Sequence, residues 1–187
     1  MVTQVHERQM TRYPQVEVRA SHGGHGVFAL EPVADGTRIM EFVGPRVSRA
    51  EVERAAAAGE GDGYLQVAHD EFFALSGGPD DFVNHSCTPN TFVQEASGAV
   101  YLAARRDIVV NEELYFDYGV TQIAFPFRFN CLCGAQSCRG PIGNCDEIPP
   151  ATLAQYRASG MLPPHVEAAL RLRGLSEFNF RASRREG

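Results

Sequence analysis

The 187-residue chain contains no lysine and no tryptophan. All 17 of its basic side chains are arginines, and 23 acidic groups outnumber them, for a net charge of −6. The basic footprint that nucleic-acid binding needs is missing, so no direct nucleic-acid partner is expected. No apolar run approaches the ~20 residues of a membrane-spanning helix, so no membrane partner is expected either. Residues 1–10 are polar and lack the apolar segment of a secretory signal. A soluble, intracellular protein is the expectation. Cysteines are few, five in all. In a reducing compartment they read as metal ligands or buried thiols rather than disulfides. The absence of lysine itself fits codon bias in a GC-rich genome, which the many alanines and glycines also suggest.

The length suits one domain with an ample core and leaves room for a small appendage. After a lead-in at residues 1–15, short strand-like runs alternate with turn residues. Strands are predicted at 16–19, 26–30, 38–43, 64–68, 72–75, 91–94, 100–104 and 113–116. A helix is predicted at 48–58, where Ser48 and Glu51 form a capping box and Gly59 supplies the stop. Gly61-Asp62-Gly63 reads as a turn. Residues 121–145 carry four of the cysteines, and 146–187 read as a helical extension. Pro149-Pro150 opens its first helix and Gly160 closes it; Pro163-Pro164 opens the second and Gly174 closes it. The tail from Ser176 carries Arg181, Arg184 and Arg185 and is expected to fray.

Four segments carry chemistry. Cys131-Leu132-Cys133 and Cys138 make a C-x-C-x4-C cluster. Thiolates this close repel one another unless a cation neutralises them, and a tetrahedral zinc ion does so. A closed structural site needs a fourth ligand, for which Cys87, Cys145 and six histidines are candidates. Asn84-His85-Ser86-Cys87-Thr88-Pro89-Asn90 reads, in isolation, as a polar turn stiffened by proline. Gly24-His25-Gly26-Val27-Phe28-Ala29 fits a G-x-G-x-x-A pattern, but Glu31-Pro32 and another strand-like run follow where a dinucleotide site needs a helix. Its glycines instead let a small ligand approach the backbone. Glu112-Glu113-Leu114-Tyr115-Phe116-Asp117-Tyr118-Gly119 alone is a strand ending in a turn.

In combination and in this order, the segments resemble a SET-domain protein lysine methyltransferase with a cysteine-rich post-SET segment. Gly24-His25-Gly26-Val27 with Ala29, Glu41-Phe42-Val43-Gly44, Phe82-Val83-Asn84-His85-Ser86-Cys87, Glu113 through Tyr118 and Cys131 through Gly140 carry the likeness, which covers about residues 16–143. The resemblance implies a mainly β fold of small sheets, with the Asn-His-Ser-Cys and Phe-Asp-Tyr segments knotted together. Domain bounds follow: a lead-in at 1–15, SET domain at 16–120, post-SET zinc segment at 121–145 and C-terminal extension at 146–187. It implies an S-adenosylmethionine site at His25, Gly26, Asn84, His85, Tyr118 and Leu132. Tyr118 matches the family's catalytic tyrosine and Tyr64 a second channel tyrosine. Phe116 stands where Tyr limits transfer to one methyl, so more than one methyl per lysine is expected. One structural zinc would be held by Cys87, Cys131, Cys133 and Cys138, leaving Cys145 a plain thiol. The implied partner is a lysine-bearing protein or peptide, with a histone tail as default. The setting would be cytoplasmic in a bacterium or nuclear in a eukaryote, or that of a host-targeted effector.

The chain departs from the family at three places. Asp81 replaces an arginine common before the Phe of Phe-Val-Asn-His-Ser-Cys, which reverses a charge near the expected cofactor. Pro45 follows Gly44 where an acidic residue is frequent, and Asn111 replaces a glycine before Glu112-Glu113-Leu114, at a place where Asn tolerates a left-handed turn. Two other readings stand beside the histone enzyme. One is a methyltransferase acting on another protein; the other is a catalytically silent SET module used for binding, with Asp81 as its support. For the C-terminal helical pair, packing on the domain, pairing with another copy and shaping a peptide groove all remain open.

Overall fold

The computed structural model describes residues 13–22, 24–60 and 63–174. Most of the lead-in, residues 61 and 62 of the predicted turn and the arginine-bearing tail lie outside the described residues.

Among the described residues, the strands form five small sheets. Strands β1 (Val16–Ser21) and β2 (Gly24–Ala29) form an antiparallel hairpin. Strand β3 (Arg38–Phe42) pairs with β9 (Ala99–Ala104), which pairs in turn with β8 (Thr91–Ala96). A third sheet has β6 (Glu71–Phe73) between β4 (Arg46–Ser48) and β5 (Leu65–Ala68). Two two-residue pairs complete the set: β7 (Asn84–His85) runs parallel to β10 (Tyr115–Phe116), and β11 (Phe129–Asn130) antiparallel to β12 (Pro141–Ile142).

Every predicted strand has a counterpart, with ends shifted by a few residues. Strands β4, β7, β11 and β12 were not predicted. Each is two or three residues long, too short to show a period of two, and forms only because another segment lies alongside. Helix α1 (Arg49–Ala57) starts where the capping box requires: Ser48 accepts from the Glu51 N–H and the Glu51 carboxylate accepts from the Ser48 N–H. Asn111 adopts a φ of 65°, the left-handed turn expected of it.

Two apolar cores matter for the site. The larger joins the hairpin to the β3-β9-β8 sheet and includes Val27, Ile39, Leu102, Leu114 and Phe116. The second lies under helices α2 (Pro150–Ala158) and α3 (Pro164–Leu172), where Leu153, Tyr156, Val166 and Leu170 pack on Val120, Ile123 and Cys145. The C-terminal helices thus pack on the domain itself, directly behind the segment that follows Tyr118. His165 of α3 reinforces this: its Nε2 lies 3.0 Å from the Thr121 carbonyl.

Candidate active site

The site grows from the parallel pairing of β7 and β10. Tyr115 aligns with Asn84 and Phe116 with His85, so residues about thirty apart in sequence become neighbours. The Ser86 N–H donates to the Phe116 carbonyl at 3.1 Å. Asn90 locks the crossing from beneath: its amide donates to the Glu113 carbonyl at 2.8 Å, and its oxygen accepts from the Tyr115 N–H at 2.8 Å. Thr91 adds an O–H bond to the Tyr115 carbonyl at 2.7 Å. Asn90 and Thr91 are buried, so these bonds also satisfy groups that would be costly to leave unpaired.

His85 is buried beside Tyr118. Its Nδ1 accepts from the Tyr118 N–H at 3.1 Å, and the two rings meet edge to face at 5.5 Å. Burial lowers the imidazole pKa; Asp117 raises it in part and Arg139 lowers it, leaving it at about 4. The ring is therefore neutral at pH 7, as an Nδ1 acceptor must be. Asn84 donates to the His25 carbonyl at 2.8 Å and to the Glu113 carboxylate at 2.9 Å. Ser21 donates to the same carboxylate at 2.8 Å. A Cβ at Gly26 would come within 2.1 Å of Glu113 Oε1, so a larger residue there would displace the carboxylate that Asn84 and Ser21 hold. The His25 ring is exposed and lies against Phe82 at 5.7 Å. Leu132 is 80% exposed on the cysteine loop.

Tyr118 faces a cavity of about 740 Å³. Phe116, Tyr64, Phe127 and Phe129 share its wall, so all three residues expected in a lysine channel line one space. Phe116 packs 4.8 Å from the Tyr118 ring, and Phe129 lies 5.7 Å away on another side. The Tyr118 hydroxyl donates to the Val83 carbonyl at 2.7 Å. Burial raises its pKa to about 12. Of the residues expected to hold cofactor, Tyr118 alone borders this cavity.

Asp80 and Asp81 also line the cavity. The Asp81 carboxylate accepts from the Ser76 N–H at 2.9 Å and the Gly77 N–H at 2.7 Å. Its charge is thus spent on fixing the turn at the cavity edge. Gln122, on the same wall, donates to the Tyr64 carbonyl at 3.3 Å, while its buried Oε1 has no hydrogen-bond partner among the described residues.

The four cysteines Cys87, Cys131, Cys133 and Cys138 converge, with their sulfurs all within 4.8 Å of one another. Cys87 and Cys131 are 3.9 Å apart, close to the ~3.8 Å edge of a tetrahedron with Zn–S bonds of ~2.3 Å. N–H groups of Cys133, Arg139 and Gly140 point at three of the sulfurs. The donor set and spacing fit a structural zinc ion. Cys145 is absent from this cluster and buried in the second core, where burial pushes its thiol up to about 12.

Asp117, Arg139 and Tyr156 escaped the sequence reading. The Asp117 side chain is fully buried and accepts two bonds from the Arg139 guanidinium, at 2.7 and 2.8 Å. Tyr156, from α2, donates to the same carboxylate at 3.0 Å. Only the acid's place inside Phe116-Asp117-Tyr118 could have flagged it; the tyrosine had no local signal.

The SET domain model matches residues 24–119 of the chain. The protein belongs to the SET-domain family. The chain is 33% identical over 131 residues to human histone-lysine N-methyltransferase SETD1A, covering 63% of this chain and 7% of that protein. It is 36% identical over 128 residues to the H3 lysine-4 specific histone-lysine N-methyltransferase of Yarrowia lipolytica, covering 62% of the chain and 11% of the relative. A third relative, the probable histone-lysine N-methyltransferase set-23 of Caenorhabditis elegans, is 36% identical over 132 residues, 62% of the chain and 54% of its own length. The SET protein thus spans a small part of the first two relatives and about half of the third.

Proposed function

We propose that this SET protein is an S-adenosylmethionine-dependent protein-lysine N-methyltransferase, with a histone tail as its default substrate. The observation that carries the reading is the meeting of Tyr118, Phe116 and Tyr64 on one cavity beside the Asn84–His85 pair. The relatives named as histone-lysine N-methyltransferases support the substrate class. The acidic balance of the chain suits a basic peptide.

In this reading residues 16–120 form the SET domain, 121–145 the zinc segment and 146–187 a C-terminal extension. His25, Gly26, Asn84, His85, Tyr118 and Leu132 hold the cofactor. S-adenosylmethionine, when bound, supplies an electrophilic methyl group on a sulfonium. The target lysine enters the aromatic cavity, where Tyr118 and Tyr64 orient its nitrogen. Free lysine has a pKa of ~10.4, so fewer than about one in a thousand is neutral at pH 7. A poorly solvated aromatic wall disfavours the ammonium and lowers that value. The proton would leave to water, freeing the nitrogen lone pair for methyl transfer, in which the N–C bond would form as the methyl–sulfur bond breaks and the demethylated thioether is released. Tyr118 is not the base. Its phenol stays protonated to about 12 and already donates to Val83. Its oxygen lone pairs remain to accept an amine N–H, which aims the nitrogen lone pair. Phe116 places no hydroxyl against the nitrogen, leaving room for a second and third methyl.

Cys87, Cys131, Cys133 and Cys138 would hold one zinc ion. It would tie the 131–138 loop to the segment that carries Asn84 and His85. Calorimetric titration of zinc-loaded protein with S-adenosylmethionine tests the cofactor assignment. Saturable one-to-one binding that weakens in Asn84→Ala is expected. Absence of heat with both the cofactor and its demethylated product would favour the silent binding module.

A further inference from the structure

We propose that Tyr156, on the C-terminal helix α2, is a positioning residue for Tyr118, so that the extension is part of the active-site scaffold. The inference rests on the methyltransferase reading for its kinetic consequence, but its structural part stands alone.

The argument starts from the Asp117 carboxylate, whose side chain has no exposed surface. A buried carboxylate is tolerable only when its acceptor sites are filled, and it offers about four. Here each oxygen receives two donors. Oδ1 accepts from Arg139 Nη2 at 2.8 Å and from the Gly119 N–H at 3.1 Å. Oδ2 accepts from Arg139 Nη1 at 2.7 Å and from the Tyr156 hydroxyl at 3.0 Å. His85 Nδ1 lies 3.6 Å away and is engaged by the Tyr118 N–H. Among the described residues no further donor reaches the carboxylate, so the phenol completes the shell.

The four donors come from three places. Gly119 belongs to the turn Tyr118–Val120 that sets the catalytic ring. Arg139 directly follows Cys138, and its own N–H bonds Cys87 at 3.3 Å, so it belongs to the cysteine loop. Tyr156 belongs to a helix outside the matched SET region. Asp117 precedes Tyr118 in the chain, so any drift of the carboxylate moves the backbone that carries the ring. Tyr156 is itself held firmly: it is 2% exposed, and the Arg105 guanidinium covers its ring at 5.4 Å. The Arg105 N–H in turn bonds the carbonyl of Asn90, the residue that locks β10. The helix thus reaches the crossing by two routes.

Tyr156→Phe keeps the ring and removes one donor. Leu170→Ala loosens the same helical core without touching Asp117 and serves as the control. Two readouts decide. Hydrogen exchange of the 117–121 amides should quicken several-fold in Tyr156→Phe and not in Leu170→Ala, with α2 still protected. In a lysine-methylation assay, kcat of Tyr156→Phe should fall about tenfold, the scale of a sub-ångström misplacement where one ångström can cost about a hundredfold. KM for cofactor and peptide should stay within about twofold of wild type. Unchanged exchange at 117–121 in folded Tyr156→Phe, or equal kcat losses in both variants, would overturn the proposal. A wild-type protein without turnover would sink the methyltransferase reading instead, and the exchange data would still decide the role of Tyr156.

Discussion

At the scale of single residues, the proposed chemistry turns on a phenol that stays protonated in the working range. Tyr118 has its pKa raised from ~10 to about 12 by burial. A group raised above its unfolded value stabilises the fold below pH ~10, and this contribution fades as pH climbs through about 12. The pH profile of kcat/KM should therefore rise with deprotonation of the lysine amine and show no limb from Tyr118 below about 12. A second ionisation near pH 8–9 that disappears in Tyr118→Phe would contradict this. Phe116 yields the other residue-level expectation. It packs edge-on to Phe42 at 5.8 Å and borders the cavity, so Phe116→Tyr adds one hydroxyl at the wall. Product spectra should shift from di- and trimethyl-lysine to mostly monomethyl-lysine, and an unchanged distribution would remove Phe116 from control of multiplicity. Asn84, His85, Tyr118 and the cysteines were legible because each lies in a short motif of distinctive composition. The Tyr156–Asp117 contact was not, since its partners are 39 residues apart and meet only through packing.

At the scale of elements, local rules predicted what local forces make. The capping box at Ser48 and Glu51 is satisfied within four residues, and the proline-opened helices α2 and α3 begin as their sequences suggest. Strands β7 and β10 make the crossing that creates the site, yet each has two residues and no periodicity to read. Their register comes from Asn90, Thr91 and Glu113, polar side chains whose value appears only in the fold. The cysteine loop is a different kind of element: its sulfurs belong to neither of the two larger apolar cores. Zinc removal by a strong chelator should release one ion per chain and abolish most methyl transfer. The far-UV circular dichroism spectrum should largely persist, because the three larger sheets contain none of the four cysteines. Global loss of that spectrum on chelation, or full activity without zinc, would contradict the assignment.

At the scale of the molecule, no hydrophobic pattern revealed the fold; an ordered set of motifs did. The composition set bounds, and the resemblance supplied the architecture that five small sheets now display. The placement of the C-terminal helices was open in the sequence, because α3 is amphipathic whatever it faces. The structure puts their apolar side on Val120, Ile123 and Cys145, which makes them a buttress behind the Tyr118 turn. The lack of lysine helps at this scale, since any methyl-lysine recovered must come from another protein and not from this chain. The most direct test of the central claim is tandem mass spectrometry of a core-histone mixture incubated with S-adenosylmethionine and zinc-loaded protein, with Tyr118→Phe alongside. Methyl groups on lysine nitrogen, reduced about 100-fold or more in Tyr118→Phe while that variant still binds cofactor, are the predicted result. Histones that stay unmethylated under a folded, zinc-loaded, cofactor-binding wild type, or equal methylation by both proteins, would contradict it.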